Sequence, residues 1–306
     1  VKHWIQAARL RTLPLSLSGI LVGSFYAVSQ SIFNWYVFFF AILTTLGLQI
    51  LSNFANDYGD GIKGTDNDNR VGPSRTVQKG VISPKAMKNA MFLTAVITFV
   101  LAVLLIYYSF KDQYLYYSLL FLALGIVAIA SAIRYTVGNN PYGYQGFGDV
   151  FVYIFFGLVS TLGVYFLITK RIDWLILLPA TTIGLFSVGV LNLNNMRDIA
   201  SDKLAGKNTL VVKIGLNNAK KYHFAIIFVA MFASVLFAWL KDFNFDQYLF
   251  VLAYIPILRH LTRVKQVQVA QQFDPELKKL ALSTFFYAIL MALSMIFFLS
   301  DIIMRS

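Results

Sequence analysis

Two acidic clusters hold the residues best suited to chemistry: Asn53-Phe54-Ala55-Asn56-Asp57-Tyr58-Gly59-Asp60 and Asn194-Asn195-Met196-Arg197-Asp198-Ile199-Ala200-Ser201-Asp202. In each, an Asn stands four residues before an Asp, and a second Asp follows three or four residues later. Helix positions i, i+3, i+4 and i+7 share a face, so Asn53, Asp57, Asp60 and Gly64 form one stripe. Asn194, Asp198 and Asp202 form the other. Two facing carboxylate stripes suit a hard divalent cation on a diphosphate, because Mg²⁺ takes oxygen ligands and shares its shell with phosphate. The asparagines add a neutral oxygen or an amide donor. A lone Asp at a helix end is more often solvated or offsets nearby lysines; two matched sets favour a functional role.

The remaining residues narrow the guest. The absence of Cys excludes disulfides and thiolate chemistry. His3, His223 and His260 are scattered, with no metal-ligand spacing. Any metal is therefore expected on oxygen, which points to Mg²⁺. The loop after the first cluster carries Lys63, Arg70 and Arg75, and Lys207 follows the second. A guanidinium presents a planar fork to phosphate oxygens, so Arg70, Arg75 and Lys207 are candidate substrate contacts. Lys85, Lys88, Lys220 and Lys221 read as topological charge. Asp149 opens a helix after the glycine-rich segment 142–148 and is a candidate contact, or simply an acid favoured at a helix N-terminus. Tyr58, Tyr135, Tyr142, Tyr144 and Tyr153 are candidates for shielding a cation with their ring faces.

These residues sit on apolar elements. With 58% hydrophobic and 13% charged residues among 306, the chain does not read as a soluble globular protein. Nine apolar runs are long enough to cross a bilayer as helices: 13–33, 34–56, 87–108, 113–135, 149–168, 173–195, 219–240, 246–263 and 277–300. The expected fold is all-α and polytopic, with about nine transmembrane helices around a central cavity opening to the cytoplasmic face. A cytoplasmic N-terminus puts 21 of the 26 Lys and Arg on one side and 5 on the other. That satisfies the positive-inside rule and places the C-terminus outside. The net charge of +12 is then mostly topology and calls for no nucleic acid. The first run lacks a small-residue cleavage site and reads as helix one, not as a cleavable signal peptide.

Both clusters terminate runs, the second and the sixth, and four crossings separate them. They are therefore expected on one face. Asp60, Lys63 and Gly64 also run parallel to Asp202, Lys203 and Gly206. This suggests a single domain over 1–306, built as two four-helix units plus a ninth helix.

Asn-Asp-x-x-Asp at 56–60, the Arg-rich loop to Gly80 and Asp-x-x-x-Asp at 198–202 resemble the UbiA superfamily of intramembrane aromatic prenyltransferases. Arg11-Thr12-Leu13-Pro14, the segment 56–64 and the segment 144–149 are similar to the branch that prenylates 1,4-dihydroxy-2-naphthoate in menaquinone synthesis. The resemblance implies that Asp57, Asp60, Asp198 and Asp202 hold Mg²⁺ on the diphosphate of a polyprenyl donor. It places Asn53, Asn56, Lys63, Tyr135, Asp149 and Asn194 around the substrates, and gives Arg70, Arg75 and Lys207 the leaving group. It further implies release of diphosphate and CO₂ from a small aromatic acid, in a bacterial plasma membrane. Two positions depart from the superfamily pattern. Gly64 stands where a further Asp is common, with Asp66 nearby, and no Lys follows Tyr135 as in hydroxybenzoate-type members. 4-Hydroxybenzoate and homogentisate remain alternative acceptors. A transporter normally keeps its acids near the midplane on interrupted helices, whereas these lie at helix ends. A CDP-alcohol phosphotransferase would need an Ala-Arg pair beside Asp57-Tyr58-Gly59-Asp60-Gly61.

Overall fold

The computed structural model describes residues 1–64, 72 and 75–305; Arg70 and Asp66 lie outside the described residues. The α-helices are α1 (Lys2–Ala8), α2 (Leu13–Val28), α3 (Trp35–Lys63), α4 (Pro84–Phe110), α5 (Leu115–Arg134), α6 (Gly148–Val152), α7 (Val164–Thr169), α8 (Leu177–Arg197), α9 (Ile199–Leu204), α10 (Leu210–Leu240), α11 (Tyr254–Gln266) and α12 (Phe273–Arg305). A π-helical stretch, Tyr153–Gly163, joins α6 to α7. Among the described residues every regular element is helical.

Helix starts are written locally. The Asn34 side chain accepts from the Tyr36 and Val37 amides at the head of α3. Ser83 caps α4, with Pro84 at its first position, and Thr209 caps α10. Each cap satisfies a backbone donor that a helix N-terminus leaves without a partner. The end of α3 is equally local: Gly64 takes a left-handed conformation with φ 62°, the usual glycine stop.

Seven helices are long and apolar enough to cross a membrane: Trp35–Lys63, Pro84–Phe110, Leu115–Arg134, Gly148–Thr169, Trp174–Arg197, Leu210–Leu240 and Ala270–Met304. The other two apolar runs fold into shorter pieces. The run 13–33 becomes the 16-residue α2, and 246–263 becomes a 3₁₀ turn, Leu249–Ala253, followed by the 13-residue α11. A helix of α2's length rises about 24 Å, short of a hydrocarbon core of about 30 Å.

The bundle is organised around α8. It is buried along most of its length and packs on α2, α10, α12 and the π-helical stretch. Ile183, Phe186, Leu193 and Met196 of α8 share one apolar cluster with Ile227 and Phe237 of α10 and with Leu280, Tyr287 and Met291 of α12. A helix apolar all round belongs inside a bundle. By contrast, α5 buries only Ala128 and exposes Leu119, Ile126 and Val127, the pattern of a helix facing lipid. At the head of α8, Asp173 accepts a hydrogen bond from the Tyr26 hydroxyl and pairs with Lys241 at 3.2 Å. This ties α2, α8 and α10 together at the end away from the acidic clusters.

Small residues bring backbones close, as membrane bundles favour. A Cβ on Gly23 would stand 2.2 Å from the Thr161 carbonyl oxygen, whereas one on Gly125 would meet only Ala102 at 3.8 Å. Gly23→Ala should therefore destabilise the bundle by roughly 1–3 kcal/mol, the scale of overpacking. A thermal melt in detergent checks this: Gly23→Ala is expected to melt clearly below wild type and Gly125→Ala beside it.

Candidate active site

The first cluster lies in the last three turns of α3, but its residues point to different partners. Asn53 turns away from the acids: its amide donates to the Ala8 carbonyl at 2.8 Å and to Thr12 Oγ1 at 3.1 Å. It thereby fastens the N-terminal segment to α3. Asn56 accepts from the Thr136 hydroxyl at 3.2 Å. Asp57 accepts from the Thr76 amide and hydroxyl at 3.1 and 3.0 Å and from the Val77 amide at 3.0 Å. Asp60 instead meets Arg75 Nη2 at 2.6 Å and the Tyr144 hydroxyl at 2.7 Å. The expected single stripe thus divides into an anchor for α1, an anchor for the 75–80 turn and one acid paired with a cation.

The second cluster departs from a continuous helical stripe. Helix α8 ends at Arg197, and Asp198 takes a conformation of φ −97°, ψ 9° before α9 begins. The bonds Asp198 N–H to Asn194 O (3.0 Å) and Asp202 N–H to Asp198 O (2.8 Å) still carry the turn across the break. Arg197 is the hub. Its Nε and Nη2 fork Asp198 at 2.9 and 2.7 Å, and Nη2 also donates to Asn194 Oδ1 at 2.8 Å. Its Nη1 reaches Asp274 of α12 at 2.5 Å. Only 2% of Arg197 is exposed. Gly72 lies directly over it, because a Cβ there would stand 2.6 Å from Arg197 Nη2. The segment following the first cluster therefore touches the second.

Tyr144 joins the clusters. Its hydroxyl donates to Asp60, while Lys63 Nζ and Lys207 Nζ stand 4.6 and 5.0 Å from its ring centre. Lys207 Nζ is also 3.7 Å from Asp202. Beside them lies Tyr135. Burial pushes its phenol pKa up, and the charges of Asp149, Asp202 and Asp60 push the same way. Acids from both clusters and from α6 thus act on one ring. Asp149 itself accepts from the Tyr222 hydroxyl at 2.9 Å. The segment before it needs its glycines: Gly143 lies on Tyr135, where a Cβ would come 2.6 Å from the Tyr135 carbonyl oxygen, and Gly146 has φ 89°. Lys63, Tyr144, Gln145, Gly206, Asn208 and Lys213 are among the residues lining an open cleft of about 630 Å³ at this edge.

The structure thus brings Asp60, Asp202, Lys63, Arg75, Lys207, Tyr135 and Asp149 into one neighbourhood, with Asp198 and Asn194 held alongside by Arg197. Asn53 is placed elsewhere, and Tyr153, which bonds Thr181 at 2.8 Å, is also outside it. Arg197 was legible only as one more cytoplasmic charge, although its place inside an acidic motif on an apolar helix was a signal. His223 and His260, far apart in the chain, meet at 2.9 Å between Nε2 atoms, and His260 Nδ1 is 2.9 Å from Glu276. Among the described residues no three acids or histidines form a group able to hold a metal by themselves.

Residues 16–289 match the UbiA prenyltransferase family. A 1,4-dihydroxy-2-naphthoate octaprenyltransferase of Haemophilus influenzae is 41% identical over 299 residues, covering 97% of this chain and 96% of that protein. The protein of the same name from Escherichia coli is 41% identical over 273 residues, 89% and 86% of the two chains. That of Mycobacterium tuberculosis is 37% identical over 232 residues, 74% and 75%. In fold, the chain is similar to a UbiA homolog from Aeropyrum pernix K1 in its apo structure, with a TM-score of 0.66 at 16% identity over 94% of this chain and 98% of that one. It is also similar to a solved structure concerned with digeranylgeranylglyceryl phosphate synthase, with a TM-score of 0.60 at 14% identity, covering 96% and 98%. With its all-helical bundle, its two acidic clusters and a match spanning most of its length, this chain belongs to the UbiA prenyltransferase family.

Proposed function

We propose that the protein transfers a polyprenyl group from a polyprenyl diphosphate to 1,4-dihydroxy-2-naphthoate, releasing diphosphate and CO₂. The observation that carries this reading is the linkage of the two clusters through Tyr144: Asp60, paired with Arg75, accepts from its hydroxyl, and Lys63 and Lys207 stand over its ring, with Lys207 reaching Asp202. The relatives of that name, alike over nearly the whole chain, support the choice of acceptor.

The donor set fits Mg²⁺: carboxylate and amide oxygens, with no thiol. A cation of this kind needs only one or two protein carboxylates when a diphosphate supplies further oxygens, so a three-acid group, absent among the described residues, is not required. Asp60 and Asp202, with Asp198 and Asn56 beside them, would hold it. Bound there, Mg²⁺ would supply Lewis-acid neutralisation of the departing diphosphate. Arg75, Lys63 and Lys207 would donate hydrogen bonds to the same oxygens, an effect that strengthens where water is excluded. The allylic C–O bond breaks with its electron pair leaving on diphosphate. The ring faces of Tyr135 and of Tyr142, which stacks on Phe151 at 3.9 Å, would shield the allylic cation. The naphthoate carbon bearing the carboxylate forms the new C–C bond. Loss of CO₂ from that carbon returns an electron pair to the ring, so the step needs no added proton.

In the membrane, we place α2 and the 3₁₀-α11 segment as two crossings beside the seven long helices. The whole chain would then be one domain of two four-helix units and a ninth helix. The cavity would open to the cytoplasmic face, with the N-terminus inside, as the lysine and arginine distribution supports. The prenyl tail would lie in the bilayer.

The direct test incubates the detergent-solubilised protein with Mg²⁺, a labelled prenyl diphosphate and a panel of aromatic acids, and reads the lipid product by mass. Prenylated, decarboxylated naphthoquinol is expected from dihydroxynaphthoate alone; a product from hydroxybenzoate alone would replace the acceptor. EDTA should abolish turnover and Mg²⁺ restore it. Asp60→Asn and Asp202→Asn should each lower kcat by about 10²-fold or more, the scale of losing one electrostatic contact to a transition state. Arg197→Ala should also cost about 3–5 kcal/mol of stability, because it leaves Asp198 buried without its counter-charge. A lowered melting temperature together with lost turnover checks it.

A further inference from the structure

The two acids of the first cluster are equally buried, at 2% exposure each, yet their surroundings differ in kind. Asp60 faces a guanidinium and a phenol, groups that a diphosphate or a metal can displace or share. Among the described residues, Asp57 instead meets backbone amides and a hydroxyl of the 76–77 segment. Its Oδ2 takes the amide and hydroxyl of Thr76, and its Oδ1 takes the amide of Val77. A carboxylate has about four lone-pair positions, and three are used within one turn of backbone.

That turn is built to be held there. The Thr76 carbonyl accepts from the Val81 and Ile82 amides, and the Arg75 carbonyl from Lys79, so residues 75–82 close on themselves. Among the described residues, the amides of Thr76 and Val77, at the head of this turn, meet no backbone carbonyl. Asp57 serves them as a capping acid from another element, in the manner of a side chain at a helix N-terminus. One turn along α3, Gly61 gives room for Val77: a Cβ there would stand 2.8 Å from Val77 Cγ1. Val77 and Ile82 then enter the apolar cluster with Leu51, Ala55 and Met87. The residue before the capped amides is Arg75, 5% exposed and 2.6 Å from Asp60.

We infer that Asp57 is a positioning residue, not a metal ligand: it clamps the 75–82 turn onto α3 so that Arg75 is presented beside Asp60. This rests on the active-site reading above and replaces the metal role that the family resemblance implies for Asp57. For Asp57 to hold a metal through more than the one lone pair left over, it would have to release Thr76 or Val77, and the turn that carries Arg75 would lose that tie. The first cluster then offers one acid to the substrate-bound metal, Asp60, and uses the other to orient the cation that meets the leaving group.

The test compares Asp57→Ala, Thr76→Val, Arg75→Ala, Asp60→Asn and the Asp57→Ala/Arg75→Ala double variant, all as full chains in detergent. Without substrate, Asp57→Ala should speed amide exchange at Thr76 and Val77 and open trypsin cleavage after Arg75, while Asp60→Asn should leave Thr76 and Val77 protected. Thr76→Val removes one donor to Asp57 and no candidate ligand, and should move the same readouts partway. In turnover, Asp57→Ala should raise KM for the prenyl diphosphate by about tenfold, the scale of one charge-assisted contact. Its half-activating Mg²⁺ concentration should stay at the wild-type value. The double variant should behave like Arg75→Ala alone, because Asp57 acts through Arg75. Unchanged exchange in Asp57→Ala, with a raised Mg²⁺ requirement and a loss additive to Arg75→Ala, would overturn the inference and return Asp57 to the metal. Full turnover in Asp60→Asn would instead remove the active-site reading, while exchange at Thr76 and Val77, read without substrate, still decides what Asp57 holds.

Discussion

Buried charge has to be matched, and the rest of this molecule is arranged around that requirement. An unpaired carboxylate inside an apolar bundle costs several kcal/mol even after relaxation. Every acid of the two clusters has accordingly been given a partner: Asp60 has Arg75 and Tyr144, Asp198 has Arg197, Asp202 has Lys207, and Asp57 has the amides of a turn. The partners are drawn from different elements. Supplying them brings the ends of α3 and α8, the 142–148 segment and the head of α12 to one edge of the bundle.

Under the proposed function, this pairing would let a site for a highly charged substrate exist before the substrate arrives. The arginines and lysines that stabilise the carboxylates are of the types that diphosphates recruit, and carboxylates are what divalent cations recruit. The close approach of Gly72 to Arg197 and the clamp of Asp57 on Thr76 hold the crossing segment to both clusters. The geometry of one half is therefore tied to that of the other.

The tyrosines show how the same side chain takes different roles according to its neighbours. Tyr144 has two ammonium groups over its ring and donates to Asp60, so it organises charge. Tyr135 is half-buried, with Gly143 and Gly148 close against its ring. Tyr142 stacks on Phe151 and gives its hydroxyl to the Ser131 carbonyl. Spacing in the sequence does not separate these roles. They follow from which helix end comes to stand across from each ring.

What the sequence by itself determined is whatever depends on near neighbours along the chain. The caps at Asn34, Ser83 and Thr209, the stop at Gly64 and the long apolar runs are local, and helices form where those signals stand. The repeated Asn and Asp spacing marked both clusters, because helical periodicity is also a local property. Two apolar runs, 13–33 and 246–263, were legible as apolar but not in length, since turns at their ends shortened the helices. Only the tertiary structure decided which acid meets which cation. Asn53 and Asp57 share a stripe with Asp60, yet α1 claims the first and the 75–82 turn the second. Arg197 looked like one cytoplasmic charge among many until α12 brought Asp274 against it. His223 and His260 looked scattered until α10 and α11 packed. Pairing energies depend on distance and burial, and a linear chain sets neither until it is folded.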